Sequence, residues 1–354
     1  MSSSNIEKYG YDDFYQSQIT DLGITETGLI PARIIEVQKE QYKIVSENGE
    51  KRARLKGSVF YDDNAVLYPA IGDFVLVKPN PYGEDTIYYV MNRKSKFSRL
   101  DSFYGKEQVV AANFDYVFIM TSLNNDFNLK RIERYLTAAW QSGASPIIVL
   151  TKTDLCDDYT LQKDQIDAIA PGVPVIAISS HTGEGINELR NYIQPFKTIV
   201  FLGSSGVGKS SLVNVLMGEE KMAVNSIRED DSKGRHTTAY RQLIVLQNGA
   251  MIIDTPGMRE LGMWVVSDGL DVTFSDIEAL STKCRFRDCN HINEPGCAIK
   301  SALERGEISE ERWKNYIKLK KEASFAERKE NANMRSKEKL HQKGIAKLRK
   351  NIVK

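Results

Sequence analysis

TIVFLGSSGVGKSSLVNVL, residues Thr198 to Leu216, decides the fold. An apolar strand leads in and a helical run leads out. Between them Gly203, Ser204, Ser205, Gly206, Val207, Gly208, Lys209 and Ser210 fit the phosphate-loop pattern. Glycines let backbone N–H groups turn toward phosphate oxygens, and the following helix N-terminus adds its own positive field. The pattern assigns Lys209 to the β- and γ-phosphates, the Ser210 hydroxyl to Mg²⁺, and Ser211 to the same nucleotide contact. The address of the loop is unusual, because 197 residues precede it.

Working outward, apolar runs YVFIMTS, PIIVLTK and PVIAISS come before the loop, and RQLIVL and AMIIDTPG come after it. Amphipathic stretches such as LKRIERYLTAAWQSG separate several of them, as βαβ units with a parallel sheet buried on both faces require. PIIVL ends in Thr151, Lys152, Thr153 and Asp154, where GTPases carry Asn-Lys-x-Asp. A carboxylate at Asp154 accepts hydrogen bonds from guanine N1 and N2, donors that adenine lacks. Thr151 replaces the usual Asn, and its hydroxyl makes only part of the amide's contacts, which puts affinity more than base choice at stake. AISS ends in Ser179 and Ser180, which places a backbone N–H near the guanine O6. Asp254 to Gly257, DTPG, ends another strand, with Asp254 expected on the metal's water shell and the Gly257 N–H on the γ-phosphate.

The motif order is base, base, phosphate loop, loop threonines, metal aspartate. That is the GTPase cycle cut at a different point, a circular permutation. Ligands in such sheets sit at the carboxyl ends of strands, so adjacency matters and chain order does not. SIREDDSKGRHTTAYRQ, between the loop and DTPG, reads as a segment that closes on the nucleotide. Thr237 or Thr238 is expected on Mg²⁺, with Thr238 preferred. Met258 follows DTPG where many GTPases use glutamine to orient water, so His236 is the candidate for that task. DTPG leads on toward the cysteine cluster, which suggests that γ-phosphate contacts bias the C-terminal region.

Residues 1–25 read as a polar, aromatic extension and 26–95 as an oligonucleotide-binding (OB-type) β-barrel of short alternating strands. The barrel's Arg33, Lys39, Lys43, Lys51, Arg52, Arg54 and Lys56 interleave with Tyr42, Phe60 and Tyr61, a mixture suited to RNA. Residues 96–268 form the permuted α/β domain, and 269–354 a helical, zinc-binding domain. Cys284, Cys289, His291 and Cys297 supply three thiolates and an imidazole, a closed tetrahedral set for structural Zn²⁺. Cys156 stands apart as a small buried residue. Arg285, Phe286 and Arg287 fall inside the ligand loop and are expected to face RNA. From Arg312 to Lys354, 15 Lys or Arg stand against four acidic residues, which reads as a long basic helix on RNA phosphates although the whole chain has net charge +1.

No apolar run reaches membrane-spanning length. The first residues are acidic and polar where a signal peptide needs an apolar core, so a cytoplasmic protein is expected; a monomer is a separate expectation. The permuted motif order, a barrel in front and C-x4-C-x-H-x5-C behind together resemble the ribosome small-subunit-dependent GTPase A (RsgA) family over about residues 28 to 300. The resemblance implies GTP hydrolysis to GDP stimulated by the small (30S) ribosomal subunit, contact with its rRNA, and a role in late maturation of that subunit. An rRNA-binding module that binds but barely hydrolyses GTP is the alternative, with Thr151 and Met258 in its favour. An ATP-dependent phosphate-loop kinase is opposed by Asp154.

Overall fold

Short alternating strands built on β-branched residues occupy the first third of the chain. In the computed structural model they are β1 (Ile30–Gln38), β2 (Gln41–Ser46), β3 (Gly49–Leu55), β4 (Phe74–Lys78) and β5 (Asp85–Val90). The structure describes residues 6–21, 28–38, 41–56, 68–100, 107–124, 126–218, 241–254 and 267–328. The barrel strands run in the order β1-β2-β3-β5-β4, and β4 returns to pair with β1, which closes the barrel. Pairing is antiparallel except for β3 with β5. Inward positions are filled by Ala32, Ile34, Ile44, Ala53, Val75, Val77 and Ile87. Alternate residues point to the barrel's other face, as the two-residue period of a strand demands, and there Arg33, Val45, Phe74 and Leu76 are buried too.

A register shift between Ile34 and Glu36 bends β1. Before the bend β1 pairs with β4; beyond it, Glu36 and Val37 pair with Gln242 and Arg241 of a strand in the second sheet. A bulge of this kind re-aims a strand. Here it lets one strand close the barrel and extend the neighbouring sheet.

Two expectations for the barrel surface are corrected. Arg33 is 1% exposed and Tyr42 4% exposed, so neither offers charge or a stacking face to RNA. The Arg33 guanidinium donates to the carbonyls of Gly72 (3.2 Å), Asn113 (2.8 Å) and Tyr9, and lies over the Phe74 ring. Burial pulls its pKa down to about 10, which still leaves it protonated at neutral pH. Lys43, Lys51 and Arg54 are paired with Glu50, Asp85 and Glu84. Lys56 stands 4.0 Å over the Tyr88 ring, and Arg52 is exposed. Lys39, Phe60 and Tyr61 lie outside the described residues.

The N-terminal stretch is packed against the barrel. Its helix α1 (Asp13–Asp21) carries Tyr15, 1% exposed, with its ring 4.1 Å from that of Phe74. The Gln18 side chain accepts the Asn92 amide at 2.7 Å.

After a ribbon of β6 (Lys96–Leu100) and β7 (Glu107–Ala112), the buried apolar runs become β8 (Tyr116–Ser122), β9 (Ser145–Thr151), β10 (Val175–Ile178), β11 (Thr198–Leu202), β12 (Arg241–Val245) and β13 (Met251–Asp254). Their spatial order is β10-β9-β8-β11-β13-β12, parallel except for β12. The phosphate-loop strand β11 therefore lies in the middle, between the first strand of the domain and its last. Helices α2 (Leu129–Ser142), α3 (Thr160–Ile169), α4 (Ile186–Leu189) and α5 (Lys209–Met217) cover the sheet, and Phe118, Ile147, Val149, Ile199 and Ile252 are among the buried core.

Residues 98–108 and 262–354 group into a second unit. It contains α6 (Ser267–Thr273), α7 (Ser275–Ser281), α8 (Ala298–Glu304) and a helical run over residues 310–328. The Ser309 hydroxyl accepts the Arg312 amide and so caps the start of that run. Arg312 then grips both carboxylate oxygens of Asp276 and the Thr273 carbonyl, over the Phe274 ring. The remaining basic tail, 329–354, lies outside the described residues. Among those described, no helix is long and apolar enough to cross a membrane.

Candidate nucleotide site and metal centre

The loop after β11 is shaped by two glycines that nothing larger can replace. A Cβ on Gly203 would meet the Met120 carbonyl oxygen at 2.8 Å, and Gly208, at φ 103°, caps α5 in a conformation that L side chains rarely adopt. Val207 is 1% exposed and anchors the loop on the core. The Lys209 ammonium donates to the carbonyls of Gly203 and Ser204, the latter at 2.8 Å, so it folds back over the loop. Ser210 and Ser211 stand in the first turn of α5, after Ser205 and Gly206. The Ser204 hydroxyl donates to the carboxylate of Asp126, a contact the motif pattern did not foretell.

Two strands away, β9 ends in the turn that carries Thr151 to Asp154. Thr151 is buried, and its hydroxyl donates to the Val207 carbonyl at 2.7 Å, which ties this turn directly to the phosphate loop. Lys152 takes a left-handed backbone, φ 63°, and starts a short 3-10 turn over Thr153–Leu155. The Thr153 hydroxyl donates to the Glu184 carboxylate at 3.0 Å.

Ser179, the residue after the neighbouring strand β10, is fully buried. Its hydroxyl donates to Asp154 Oδ1 at 2.5 Å and accepts the amides of His181 and Thr182. Its own amide is bonded to the Glu184 carbonyl at 3.1 Å. Sequence reasoning expected a backbone contact from this serine; the side chain instead fixes the carboxylate that would read the base. Gly185 permits the close turn, because a Cβ there would sit 1.9 Å from the Ala177 carbonyl.

Asp254 closes β13, next to β11, in register with Gln242. His236, Thr237, Thr238, Gly257 and Met258 lie outside the described residues.

In the second unit, Cys284, Cys289, His291 and Cys297 bring their ligand atoms within 4.8 Å of one another. His291 Nδ1 stands 3.6 Å from Cys284 Sγ and 3.5 Å from Cys297 Sγ. An ion with metal–sulfur bonds of about 2.3 Å and metal–nitrogen bonds of about 2.1 Å in a tetrahedron separates such atoms by roughly 3.5 Å. The donors therefore fit a tetrahedral metal. The loop is shaped by Glu294, whose carboxylate accepts the amides of Asn290, Ile292 and Asn293, each at 3.0 Å; its own backbone amide first, and then these bonds, hold its pKa at about 2. Burial, and then the charge of Lys320, keep His291 below the ordinary histidine range, so its ring is neutral and able to ligate at pH 7. Phe286 in the ligand loop is 42% exposed beneath the Arg285 guanidinium. Cys156 is partly exposed and donates to the Asp158 carbonyl, outside the cluster.

The loop Gly203–Ser210, the Asp154 carboxylate and Asp254 follow or close β11, β9 and β13 at the carboxyl end of one sheet, in a chain order that starts midway round the cycle. The class so defined is the circularly permuted GTPase. The chain belongs to the RsgA GTPase family, whose model matches residues 90–264. A relative from Listeria monocytogenes serotype 4b (strain F2365), named small ribosomal subunit biogenesis GTPase RsgA 2, is 45% identical over 92% of this chain and 91% of its own. Two solved structures share the fold. YjeQ from Thermotoga maritima is 28% identical with a TM-score of 0.62, covering 83% of this chain and 98% of that one. YloQ, described as a circularly permuted GTPase, is 25% identical with a TM-score of 0.60, covering 85% and 97%.

Proposed function

We propose that the protein hydrolyses GTP to GDP and phosphate, binds the small ribosomal subunit and its rRNA, and acts in late maturation of that subunit. The observation that carries this reading is the Asp154 carboxylate, fixed by Ser179 just past the end of β9, two strands from the phosphate-loop strand. A pre-oriented acceptor at that place selects guanine over adenine. The name of the Listeria relative supports the assignment to subunit biogenesis.

In this reading Thr151, Lys152, Thr153 and Asp154 hold the base. The amide of Ser179 is already bonded to Glu184, so the guanine O6 falls to the backbone of Ser180. Gly203 to Ser211 and Gly257 hold the phosphates, and Lys209 leaves the carbonyls of Gly203 and Ser204 to reach the β- and γ-oxygens. Ser210, Thr238 and Asp254 hold Mg²⁺, which neutralises charge on the transferred phosphoryl group. His236 orients the attacking water in place of the glutamine that Met258 replaces. Cys284, Cys289, His291 and Cys297 hold one structural Zn²⁺, leaving no open position for catalysis. The protein acts as a cytoplasmic monomer, with exposed Arg52, Phe286 and the basic tail on RNA.

The test is GTP turnover by the purified protein with and without small ribosomal subunits, alongside competition of ATP against GTP. Turnover that rises with subunits and resists ATP supports the reading. Tight GTP binding with no turnover in either condition identifies an rRNA-binding module, and equal competition by ATP removes the GTPase assignment.

A further inference from the structure

The loop between β8 and α2, LNNDFN, carries a carboxylate that the nucleotide motifs do not account for. Asp126 accepts the hydroxyl of Ser204, the second residue of the phosphate loop, across 78 residues of sequence. Its other oxygen pairs with Arg131 Nη2 at 2.9 Å, and Arg131 also donates to the Asp126 carbonyl. Described residues on either side of Asp126 are hydrogen-bonded in turn. Asn124 accepts the Ser122 hydroxyl at 2.7 Å and the Asp126 amide at 3.2 Å, and Asn128 caps α2 by accepting the Arg131 amide at 3.1 Å. Ser204 thus has its hydroxyl tied to α2's lead-in and its carbonyl tied to Lys209.

We infer that Asp126 is a positioning residue for the phosphate loop, acting on the nucleotide through Ser204. The inference rests on the proposed nucleotide reading. Two physical points support it. A loop built on glycines has many conformations to lose when it wraps a phosphate, and a side-chain clamp on one of its residues removes part of that cost before the ligand arrives. A bare carboxylate beside an anion site would also repel the ligand, and the Arg131 pairing offsets that charge. A solvent-exposed aspartate needs neither the partner on the loop nor the built turn that aims it.

The experiment compares wild type, Asp126→Ala, Asp126→Asn, Ser204→Ala and the double variant D126A/S204A, using fluorescent GDP and GTP titrations and steady-state turnover. A hydrogen bond to a charged group supports a loss of about tenfold in GDP and GTP affinity for D126A. KM should rise by a similar factor, kcat should change less than threefold, and the melting temperature of the nucleotide-free protein should stay within about a degree. Asn retains an acceptor for Ser204, so D126N should recover most of the affinity. The double variant should be no weaker than the worse single one. Losses that multiply in D126A/S204A, or a D126N as weak as D126A, overturn the inference while leaving the GTPase reading standing. Failure of the wild-type protein to bind either nucleotide overturns both.

Discussion

The Thr151 hydroxyl donates to the carbonyl of Val207 at 2.7 Å, across 56 residues of sequence. The turn after β9 and the loop after β11 are therefore one hydrogen-bonded unit. The usual asparagine could make this bond with its amide and have hydrogen-bonding atoms to spare. The threonine hydroxyl has a single proton, given chiefly to Val207 with the Thr121 carbonyl farther off at 3.4 Å, which locates the difference in the link between the two loops and leaves the Asp154 carboxylate untouched. Thr151→Val keeps the shape and leaves a buried carbonyl without its donor, at about 1–3 kcal/mol. We expect GDP and GTP affinity to fall about tenfold with GTP still preferred over ATP, and Thr151→Ser to restore it. Calorimetric titration with both nucleotides reads the result; a changed base preference in T151V would refute this assignment.

Ser179 does for Asp154 what Thr151 does for the loop. Its hydroxyl sits 2.5 Å from the carboxylate, and two backbone amides fix the hydroxyl in turn. In Ser179→Ala the carboxylate keeps its charge and loses its orientation, so affinity should drop about tenfold or more while the GTP-over-ATP ratio survives in part. Asp154→Ala should abolish the ratio itself. Competition titrations separate the two, and an S179A variant with wild-type affinity would show that Asp154 is held by something else.

The legible parts of this chain were those whose physics is local. Gly203 to Ser210 declares a backbone conformation, and PIIVL and AMII declare strands buried on both faces. The permutation followed because motif order is a property of the sequence. What stayed hidden was long-range. Arg33 reads like its basic neighbours Lys43 and Arg52, yet its partners are carbonyls at positions 9, 72 and 113 that no spacing rule connects. The Tyr11–Tyr15 pair looked like an unpatterned extension because the face it buries belongs to Phe74, about sixty residues on. The Asp126 contact was invisible for the same reason: β8 and β11 are neighbours only in space.

Arg33 gives the largest expected stability effect. Its removal takes the guanidinium donor from the buried Asn113 carbonyl and leaves the Gly72 carbonyl with the Asn113 side-chain amide, near the place where the barrel strand β1 also pairs with β12. Arg33→Met should cost about 3 kcal/mol, which for a unit of this size lowers the melting temperature by roughly 6–12 °C. Arg33→Lys keeps a charge without the planar fork and should fall between the two. Differential scanning calorimetry of the nucleotide-free proteins reads the shift, and an R33M variant melting within a degree of wild type would mean that water satisfies these carbonyls.

The metal centre can be followed through one ring. Trp313 packs edge-on to His291, with centroids 5.7 Å apart, and stacks on Tyr316, which in turn meets Phe274 in the helical core. Withdrawal of the ion frees His291 from the thiolates and removes the closure that a short, core-poor segment depends on. In a W140F/W264F background, which leaves Trp313 as the sole tryptophan, a strong chelator at pH 7 should shift its emission to longer wavelength and add about one equivalent of zinc to solution. Cys284→Ser should purify with little metal and show the shifted spectrum from the start. Cys156→Ser should behave as wild type, since that thiol bonds to the Asp158 carbonyl outside the cluster. GDP affinity should persist in all of these variants, because every contact described for the phosphate loop and the base turn lies in the other unit. An unshifted spectrum after complete metal removal would show that α7, α8 and the run 310–328 hold the module together without the ion.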